Sequence, residues 1–260
     1  MRRESYSYSQ IIREIEKAHG VRLSKGTISN WARDLSNPLR AAHLFVPKPS
    51  PELAYVIGVE TGDGFLNVVS DTYRYRVRLR AVDREFVEAF NQAVSKVLGC
   101  RPHSLWKSKN TREYEVEFGS YFLHKFLSQE LEDKKASIEH DEKCTAAFIR
   151  GFFDSEGCVG ASGGKLTAYN NDLTLVKYVQ ELLLGCFGIE TTGPYLHTRK
   201  GTILTRRGKS YVRNADGYYI YVRAKYLDTF YRKIGLTIER KKIRLEKKLG
   251  LYRRGWDLNP

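Results

Sequence analysis

Hydrophobic and polar positions alternate without a break over residues 73–80, which read YRYRVRLR. Side chains two positions apart share one face of a strand, so this pattern predicts a strand with two different faces. Tyr, Val and Leu suit a buried face, and the opposite face carries only arginines, Arg74, Arg76, Arg78 and Arg80. Because four like charges on one face repel one another, two interpretations arise. The segment is either a basic surface strand or a strand whose arginines meet a polyanion.

Near the start of the chain, apolar positions follow helical spacing instead. Gly20 interrupts the pattern, and a second helix is predicted over TISNWARDL with Ser24 as its cap. The inward positions are Ile11, Ile12, Ile15 and Ala18 in the first helix and Ile28, Trp31 and Ala32 in the second. Two helices joined by a glycine-containing turn are typical of a helix-turn-helix-like unit, which would present Lys25, Asn30 and Arg33 to DNA. An ordinary helical hairpin is the alternative.

The chain after a proline-rich boundary, VPKPSPEL, runs twice through one plan. An apolar stretch ending in an acid and a glycine, LAYVIGVETGDG and later AAFIRGFFDSEG, precedes strand-like segments and an amphipathic helix. Asp83 matches Asp172 and Gly99 matches Gly188 at one constant offset. Each half is therefore predicted to run helix, two strands, helix, two strands, helix, with a hairpin insertion in the second half.

The predicted fold class is α+β, with two pseudo-symmetric αββαββα repeats and a small N-terminal all-α unit. Three segments are predicted along the chain. They are a helix-turn-helix-like unit over 1–46, a first repeat over 47–141, and a second repeat over 142–260 that ends in a basic helix.

Charge then narrows the choice of partners. The 260 residues include 44 Lys and Arg against 30 Asp and Glu, and the formal net charge of +14 is spread along the chain. Nucleic acid is the expected partner, with an anionic membrane surface second. No apolar run approaches the roughly 20 residues of a membrane helix and no signal-like core follows Met1, so a cytoplasmic or organelle-interior protein is expected. The four cysteines lack paired spacing and are expected to be buried free thiols.

The two stretches that end in an acid and a glycine carry the candidate chemistry. Small residues lie four positions apart in each, on one helix face: Gly58 and Gly62, then Gly151 and Ser155. Such faces let two helices approach closely, and packing them together would bring Asp63 and Glu156 to one place. A carboxylate at a helix C-terminus costs about 0.3–1 kcal/mol, and two converging carboxylates repel each other. Divalent cations remove both problems, and oxygen-only ligands at an open site favour Mg²⁺. Alternatively, each acid merely ends its helix.

VIGVETGDG and IRGFFDSEG resemble the two copies of the motif that names the LAGLIDADG homing endonucleases, and the resemblance extends over about residues 50–245. It implies a single-chain, pseudo-twofold protein whose motif helices form the interface between the repeats. It further implies that the curved sheets form a DNA-binding saddle over the major groove and that both strands are cut across the minor groove, leaving short 3′ extensions. Asp63 and Glu156 take the positions of the metal-binding catalytic acids, and Gly62 and Ser155 belong to the same metal site.

The resemblance also implies supporting residues. Lys225 falls where the family has a basic residue that positions water or stabilises phosphoryl charge, although an exposed lysine at a strand end fits equally well. Asn170 matches a water-ordering amide. The first half departs from this pattern at Tyr121 and near Ala81, so its basic residue is unassigned and Arg80 is only a candidate.

Two or three Mg²⁺ ions shared between the two acids are expected, with Mn²⁺ as a substitute. The resemblance implies a duplex target of roughly 20 base pairs, about two turns of B-DNA. One chain suffices, without a protein partner. Besides the arginine strand and the N-terminal residues, the positions expected to bind DNA are Lys107, Lys109, Arg112, Arg199, Lys200, Arg206, Arg207, Lys209, Arg213 and Arg223.

Two other functions fit the same sequence. One is a non-cleaving, DNA-binding transcriptional regulator on the same fold, and the other is an RNA maturase that assists intron splicing. Both acids are retained, which favours the endonuclease over the regulator. An intein is not expected, because the sequence begins Met1–Arg2 and ends Asn259–Pro260 without the residues of a splicing reaction.

Overall fold

The computed structural model describes residues 6–33, 35, 45–69, 74–160, 165–206 and 209–251, apart from the side chains of Arg206 and Lys209. The chain forms two compact units, residues 1–44 and residues 45–260. The sequence had suggested a boundary after residue 46. Phe45 belongs to the larger unit because its side chain is buried there, with its ring centroid 5.3 Å from that of Phe126.

The described part of the N-terminal unit contains two helices, α1 (Tyr8–His19) and α2 (Lys25–Ala32). Gly20 ends α1 in the left-handed conformation, at φ 65°. The hydroxyl of Ser24 accepts a hydrogen bond from the backbone N–H of Thr27 at 3.0 Å, so the predicted cap is present. Ile11 and Ile28 are buried and Trp31 is partly buried. Ala18 and Ala32, both expected to point inward, are exposed, whereas Lys25, Asn30 and Arg33 are exposed as predicted.

The first repeat of the larger unit has the predicted order of elements. These are α3 (Pro51–Glu60), β1 (Gly64–Val69), β2 (Arg74–Ala81), α4 (Arg84–Leu98), β3 (Trp106–Lys107), β4 (Tyr114–Gly119) and α5 (Tyr121–Leu127). α6 (Leu131–Ile138) follows before the second repeat. Ser50 caps α3 by accepting from the N–H of Leu53 at 3.1 Å, and Pro51 occupies the first turn, where no backbone donor is needed.

The second repeat has the same order, with the predicted hairpin inserted. Its elements are α7 (Glu142–Glu156), β5 (Gly157–Val159), β6 (Leu166–Asn170), α8 (Leu173–Phe187), β7 (Thr191–Thr198), the hairpin β8 (Ile203–Arg206) and β9 (Lys209–Val212), and β10 (Gly217–Val222). A short 3-10 turn over Ala224–Tyr226 leads into α9 (Leu227–Lys233), and α10 (Glu239–Lys248) is the basic C-terminal helix.

Each repeat forms one four-stranded antiparallel sheet, in the orders β1-β2-β4-β3 and β5-β6-β10-β7. The two sheets have the same strand register. In the first sheet Gly64 pairs with Leu79, which pairs with Val116, and in the second sheet Gly157 pairs with Ala168, which pairs with Ile220. The inner face of each sheet is buried with the helices in a shared hydrophobic core. This correspondence aligns the repeats residue by residue and makes Ala81 the equivalent of Asn170, as the sequence suggested.

Small residues allow the backbones of α3 and α7 to touch. An added Cβ at Gly58 would collide with the carbonyl oxygen of Phe148. One at Gly151 would lie 2.5 Å from the carbonyl oxygen of Tyr55, and one at Gly62 would lie 2.5 Å from Cβ of Ser155. The two motif helices therefore pack through their small faces, as predicted.

The glycines that close the two motifs have a different role from the predicted one. A left-handed exit was expected at Gly64 and Gly157, but Gly157 is extended, with φ −78° and ψ 145°. An added Cβ at Gly64 would lie 2.5 Å from Cα of Glu60, and one at Gly157 would collide with the carbonyl oxygen of Phe153. Glycine is required there because each chain runs directly from its helix into a strand beside the last helical turn.

Two further expectations concern burial. Cys144 is buried and Cys100 is partly buried, but Cys158 and Cys186 are exposed, so the expectation of four buried thiols is wrong for these two. All four cysteines are free thiols. Within the described parts of the chain, every helix is too short or too polar to cross a membrane.

Candidate active site and nucleic-acid interface

The ends of α3 and α7 bring two carboxylates together. Asp63 closes the turn that follows α3, and Glu156 is the last residue of α7. An added Cβ at Gly62 would lie only 3.1 Å from Cγ of Glu156, so glycine makes room for the second acid. The two acids singled out by the sequence thus meet at the interface between the repeats.

Desolvation raises the pKa values of both acids, and the nearby charge of Asp63 adds to the rise at Glu156. The pKa of Glu156 rises from 4.5 to about 7, mainly because the carboxyl is buried and then because the charge of Asp63 is close. A hydrogen bond from Asn170 and the positive charge of Lys241 oppose this rise. Burial likewise raises the pKa of Asp63, and Lys241 again opposes the shift. Paired carboxylates without a cation behave in this way, because one of them tends to keep a proton.

The raised pKa predicts how the metal-free protein responds to pH. Because the folded-state pKa of Glu156 lies above its unfolded value of 4.5, the stabilisation by the bound proton is complete below pH 4.5. It is lost as the pH rises through 7. Glu156→Gln should therefore nearly match the wild type at pH 4.5 and exceed its free energy of unfolding by about 3 kcal/mol at pH 8, since one pKa unit corresponds to about 1.4 kcal/mol.

Urea unfolding in the presence of a chelator, at both pH values, measures this difference. Glu132→Gln is the control, because the side chain of Glu132 is 78% exposed. An advantage of Glu156→Gln that is the same at both pH values would contradict the raised pKa of Glu156.

Asn170 lies directly against Glu156. Its Nδ2 donates to Oε1 of Glu156 at 3.1 Å and to the carbonyl oxygen of Thr61 at 3.4 Å. Its Oδ1 accepts from the N–H of Asp172 at 2.8 Å, which fixes the orientation of the amide. The structure therefore brings the expected water-ordering amide to the second acid. The equivalent residue in the first repeat is Ala81, whose methyl group offers no hydrogen bond.

Lys241 is a site residue that the sequence analysis missed. Its side chain is buried, and Nζ donates to the carbonyl oxygens of Phe153 at 3.0 Å and Asp154 at 2.5 Å. These carbonyls belong to the last turn of α7, at the negative end of the helix dipole. Lys241 thus neutralises the helix end that carries Glu156, and its charge lowers the pKa values of both Asp63 and Glu156.

Lys225 lies at the other end of the second sheet. It lies in the 3-10 turn that comes after β10, where its Nζ is 3.4 Å from Oε1 of Glu190 and 4.5 Å from the ring centroid of Tyr226. The space beside Glu156 adjoins the first residue of β10, Gly217. The structure therefore does not bring Lys225 to Glu156, and the alternative interpretation, an exposed lysine at a strand end, describes its position.

A polar cavity of about 420 Å³ opens beside Glu156. Its lining includes Glu156, Asn170, His197, Thr198, Arg213 and Gly217. Arg213 had been expected to bind DNA, whereas His197 and Thr198 were not singled out, because nothing in the sequence indicates that β7 ends at the second acid.

The donor set at the two acids suits a hard divalent cation. Mg²⁺ is commonly held by one or two carboxylates together with waters and substrate phosphate oxygens, and two carboxylates beside an open polar cavity match this preference. Ser155 Oγ donates to the carbonyl oxygen of Gly151 at 3.1 Å and keeps its lone pairs, whereas Gly62 could contribute to a metal site only through its backbone. Among the described residues, no group of three or more His, Cys, Asp or Glu side chains is placed to form a protein-only cage.

The outer face of the first sheet is a ladder of ion pairs. Three pairs cross from β2 towards β4 with N–O distances of 2.5–3.4 Å: Arg76–Glu117, Arg78–Glu115 and Arg80–Glu113. Val77 and Leu79 are buried on the opposite face, so the predicted two-faced strand is present. One of the two interpretations required a polyanion to supply the missing negative charge, but for these three arginines the protein supplies carboxylates of its own. Arg74, at the start of β2, is exposed.

The outer face of the second sheet is aromatic instead. By register, Tyr169 is equivalent to Arg80, and Tyr219 and Tyr221 are equivalent to Glu115 and Glu117. The rings of Tyr169 and Tyr219 stack with centroids 5.5 Å apart. One half therefore presents ion pairs and the other presents stacked rings on the same side of the fold.

The remaining basic candidates are distributed over the edges of the two sheets. Lys107, Lys109, Arg112, Arg199 and Lys200 are exposed. Arg223 forms an ion pair with Glu190. Arg207 lies outside the described residues, and the side chains of Arg206 and Lys209 are not described.

Comparisons with known proteins agree with this geometry. A family described as LAGLIDADG-like domain matches residues 143–235. The uncharacterized protein MJ0398 of Methanocaldococcus jannaschii is 34% identical over 252 residues, which are 96% of this chain and 90% of that protein. The homing endonuclease I-DmoI in complex with DNA and Mn is 18% identical, with a TM-score of 0.51 over 71% of this chain and 96% of that chain. Its complex with DNA and Ca gives a TM-score of 0.52 at 17% identity, over 76% of this chain and 97% of that chain.

Two pseudo-symmetric αββαββα repeats, joined through motif helices that end in paired acids, define the class of fold. The chain belongs to the LAGLIDADG family. The likeness to I-DmoI extends across both repeats and shows the shared fold.

Proposed function

We propose that the protein is a site-specific endonuclease that hydrolyses both strands of double-stranded DNA with a divalent metal. The observation that carries this proposal is the meeting of Asp63 and Glu156 at the ends of two closely packed helices. Both positions are unfavourable for a carboxylate, since the two acids lie close together and desolvation raises the pKa of each, and a bound cation offsets this cost. The solved complexes of I-DmoI with DNA and Mn or Ca support the same assignment.

The roles of the residues follow from their contacts. Asp63 and Glu156 would hold the metal, and Asn170 would orient the Glu156 carboxylate or a water beside it. Lys241 keeps the last turn of α7 in place through its two carbonyl contacts. Bound Mg²⁺ supplies the polarisation of the scissile phosphate and the activation of a water. Hydrolysis joins the water oxygen to phosphorus and breaks the bond from phosphorus to the leaving oxygen, which takes up a proton.

Selection of cleaved molecules from a random duplex library tests this function. With Mg²⁺ or Mn²⁺, a limited set of related sequences should be cut on both strands, and a chelator should stop the reaction. If the protein binds particular sequences of the library in Mg²⁺ but cuts none of them, nuclease activity is contradicted.

The same outcome would favour the second candidate, a DNA-binding regulator that does not cut. One observation supports this candidate: a separate two-helix unit presents Lys25, Asn30 and Arg33 on its surface. Such a unit suits duplex binding and is not needed for the chemistry of the two acids.

Removal of residues 1–44 is expected to leave a protein that still cuts DNA but binds it with lower affinity. Two tethered modules on one duplex raise each other's effective concentration, so losing one module lowers affinity even when the other is intact. The shortened chain should begin at Phe45 because that side chain is buried in the larger unit. Footprinting should show a shorter protected stretch at the site that is still cut.

The full chain with Lys25, Asn30 and Arg33 replaced by Ala is the matched control, because it keeps the two-helix unit. It should give the same short footprint. Equal affinity and an equal footprint for the wild type and the shortened chain would contradict a DNA contact by this unit.

The ion-pair ladder predicts two opposite effects on DNA binding. Replacing Arg74, Arg76, Arg78 and Arg80 with Ala should weaken binding and lower its salt dependence, by about one unit of slope for each phosphate contact that is lost. Replacing Glu113, Glu115 and Glu117 with Gln should strengthen binding to any duplex and steepen the salt dependence, because three arginines lose their partners. Titrations at several salt concentrations measure both slopes. If neither set of changes alters the slope, the first sheet does not contact DNA.

A further inference from the structure

Two polar atoms in the cavity beside Glu156 are buried without a hydrogen-bond partner among the described residues. They are Nε of Arg213 and Oγ1 of Thr198. Buried polar groups normally have partners, so two such atoms in one cavity indicate that a ligand supplies them. His197 lines the same cavity and adds an imidazole to its walls.

The backbone holds Arg213 at the base of the inserted hairpin. Its N–H donates to the carbonyl oxygen of Thr202 at 3.0 Å, and its own carbonyl accepts from the N–H of Gly201 at 2.8 Å. The guanidinium therefore extends from a fixed backbone position, although the strands of the hairpin are exposed.

Gly217 provides the space for this arrangement. An added Cβ at Gly217 would lie 2.6 Å from Oγ1 of Thr198, so any larger residue would displace the Thr198 hydroxyl at the cavity wall. By register, the equivalent of Gly217 in the first repeat is Glu113, which forms an ion pair with Arg80. The first repeat thus places a carboxylate where the second repeat leaves a space. No carboxylate pairs with Arg213 among the residues that the structure describes.

We propose that this cavity is a phosphate-binding subsite of the second acid, with Arg213 as its main donor and with Thr198 and His197 beside it. The ligand is a phosphodiester of the DNA backbone, whose oxygens match the fork of a guanidinium. The proposal deepens the proposed nuclease function and rests on it. Because Arg80 is already neutralised by Glu113, the two cleavage sites differ, and Arg213 serves only the strand whose scissile phosphate lies on its side of the paired acids.

Strand-resolved cleavage of the selected target tests the assignment. Arg213→Ala should slow the cut of one strand by about 10²-fold, the usual effect of losing one stabiliser of developing charge, and nicked duplex should accumulate. The other strand should be cut at the wild-type rate. Arg213→Lys should restore part of the lost rate, because it keeps the charge but not the fork. Equal slowing of both strands, or no nicked product, would overturn the proposal.

Arg199→Ala is the matched control, because Arg199 is exposed close to the same hairpin. It should weaken binding slightly and leave the ratio of the two cuts unchanged.

A second measurement does not need cleavage. Inorganic phosphate, added with a chelator, should raise the Tm of the wild type and of Arg199→Ala. It should not raise the Tm of Arg213→Ala, and it should raise that of Gly217→Ala less than that of the wild type, because the new Cβ displaces the Thr198 hydroxyl. If phosphate stabilises Arg213→Ala as much as the wild type, or does not stabilise the wild type, the subsite is wrong. If the library yields no cut products but the Tm values shift in this pattern, the proposed nuclease function is refuted and the phosphate-binding subsite is retained.

Discussion

Asp63→Asn and Glu156→Gln should each abolish cleavage of both strands while specific DNA binding persists. Each change removes one negative charge from the metal site and keeps the size of the side chain. The loss in rate is expected to be at least about 10²–10³-fold, because a metal that polarises the scissile phosphate acts on charge that develops in the transition state. Single-turnover cleavage in Mg²⁺, together with a gel-shift titration in Ca²⁺, separates the two effects.

Each variant is expected to lose both cuts because the two acids lie at one place. A metal ion held by both carboxylates would serve both strands, so either variant should stop both cuts. Glu88→Gln, on the exposed side of α4, is a control of the same chemistry and should cut normally. If one variant nicks a single strand at the wild-type rate, each acid serves its own strand. Normal cutting of both strands by either variant would refute the assignment of the acids.

The sequence predicted the repeated fold well because the signals for it are local. Apolar spacing and matched end residues fix the helices: Gly99 and Gly188 end α4 and α8 in the left-handed conformation, at φ 63° and 64°. The Asp172 carboxylate caps α8, accepting from the N–H groups of Thr174 and Leu175. Asp83, at the matching position, binds the guanidinium of Arg240 instead, with two hydrogen bonds of 2.7 Å. Equal sequence positions therefore gave equal helices, but different side-chain contacts.

The sequence located residues of the candidate site only where they are tied to the ends of the repeated elements. Asp63, Glu156 and Asn170 are tied to helix and strand ends, so their spacing locates them. Lys225 was placed by analogy, and the register of β10 puts it at the wrong end of the strand for Glu156.

The outer face of the first sheet illustrates the same limit. Arginines at alternate positions are visible in the sequence, but their carboxylate partners lie 37 to 41 residues away for Arg78 and Arg76 and face them only once the strands pair. A search for alternation in β4, which reads YEVEFG, would have found the complementary acidic face.

Lys241 could also have been found. Ile238, Lys241 and Leu245 follow helical spacing and all three are buried on one side of α10. A lysine in such a row requires a partner, because burying an unpaired ammonium group is unfavourable. The partner, the end of α7, lies in another element and is not visible from the sequence.

Gly58→Val is expected to cause the largest loss of stability of any single change considered for this protein. The new side chain would meet the backbone of α7 at Phe148, which cannot move away as a flexible side chain can. Overpacking in a core costs about 1–3 kcal/mol when side chains give way, and a backbone collision should reach or exceed the upper limit. Gly151→Val should behave alike, because its Cβ would meet the carbonyl oxygen of Tyr55.

The helix α8 provides a matched control. Gly185 lies inside this helix, and an added Cβ there would meet no atom within 4 Å. Gly185→Ala should stabilise the protein by about 0.5–1 kcal/mol, because alanine is the better helix former. Urea unfolding of both variants should therefore give changes of opposite sign. A Gly58→Val protein as stable as the wild type would mean that α3 and α7 do not touch through their backbones. The physical reason for the convergence of Asp63 and Glu156 would then be lost as well.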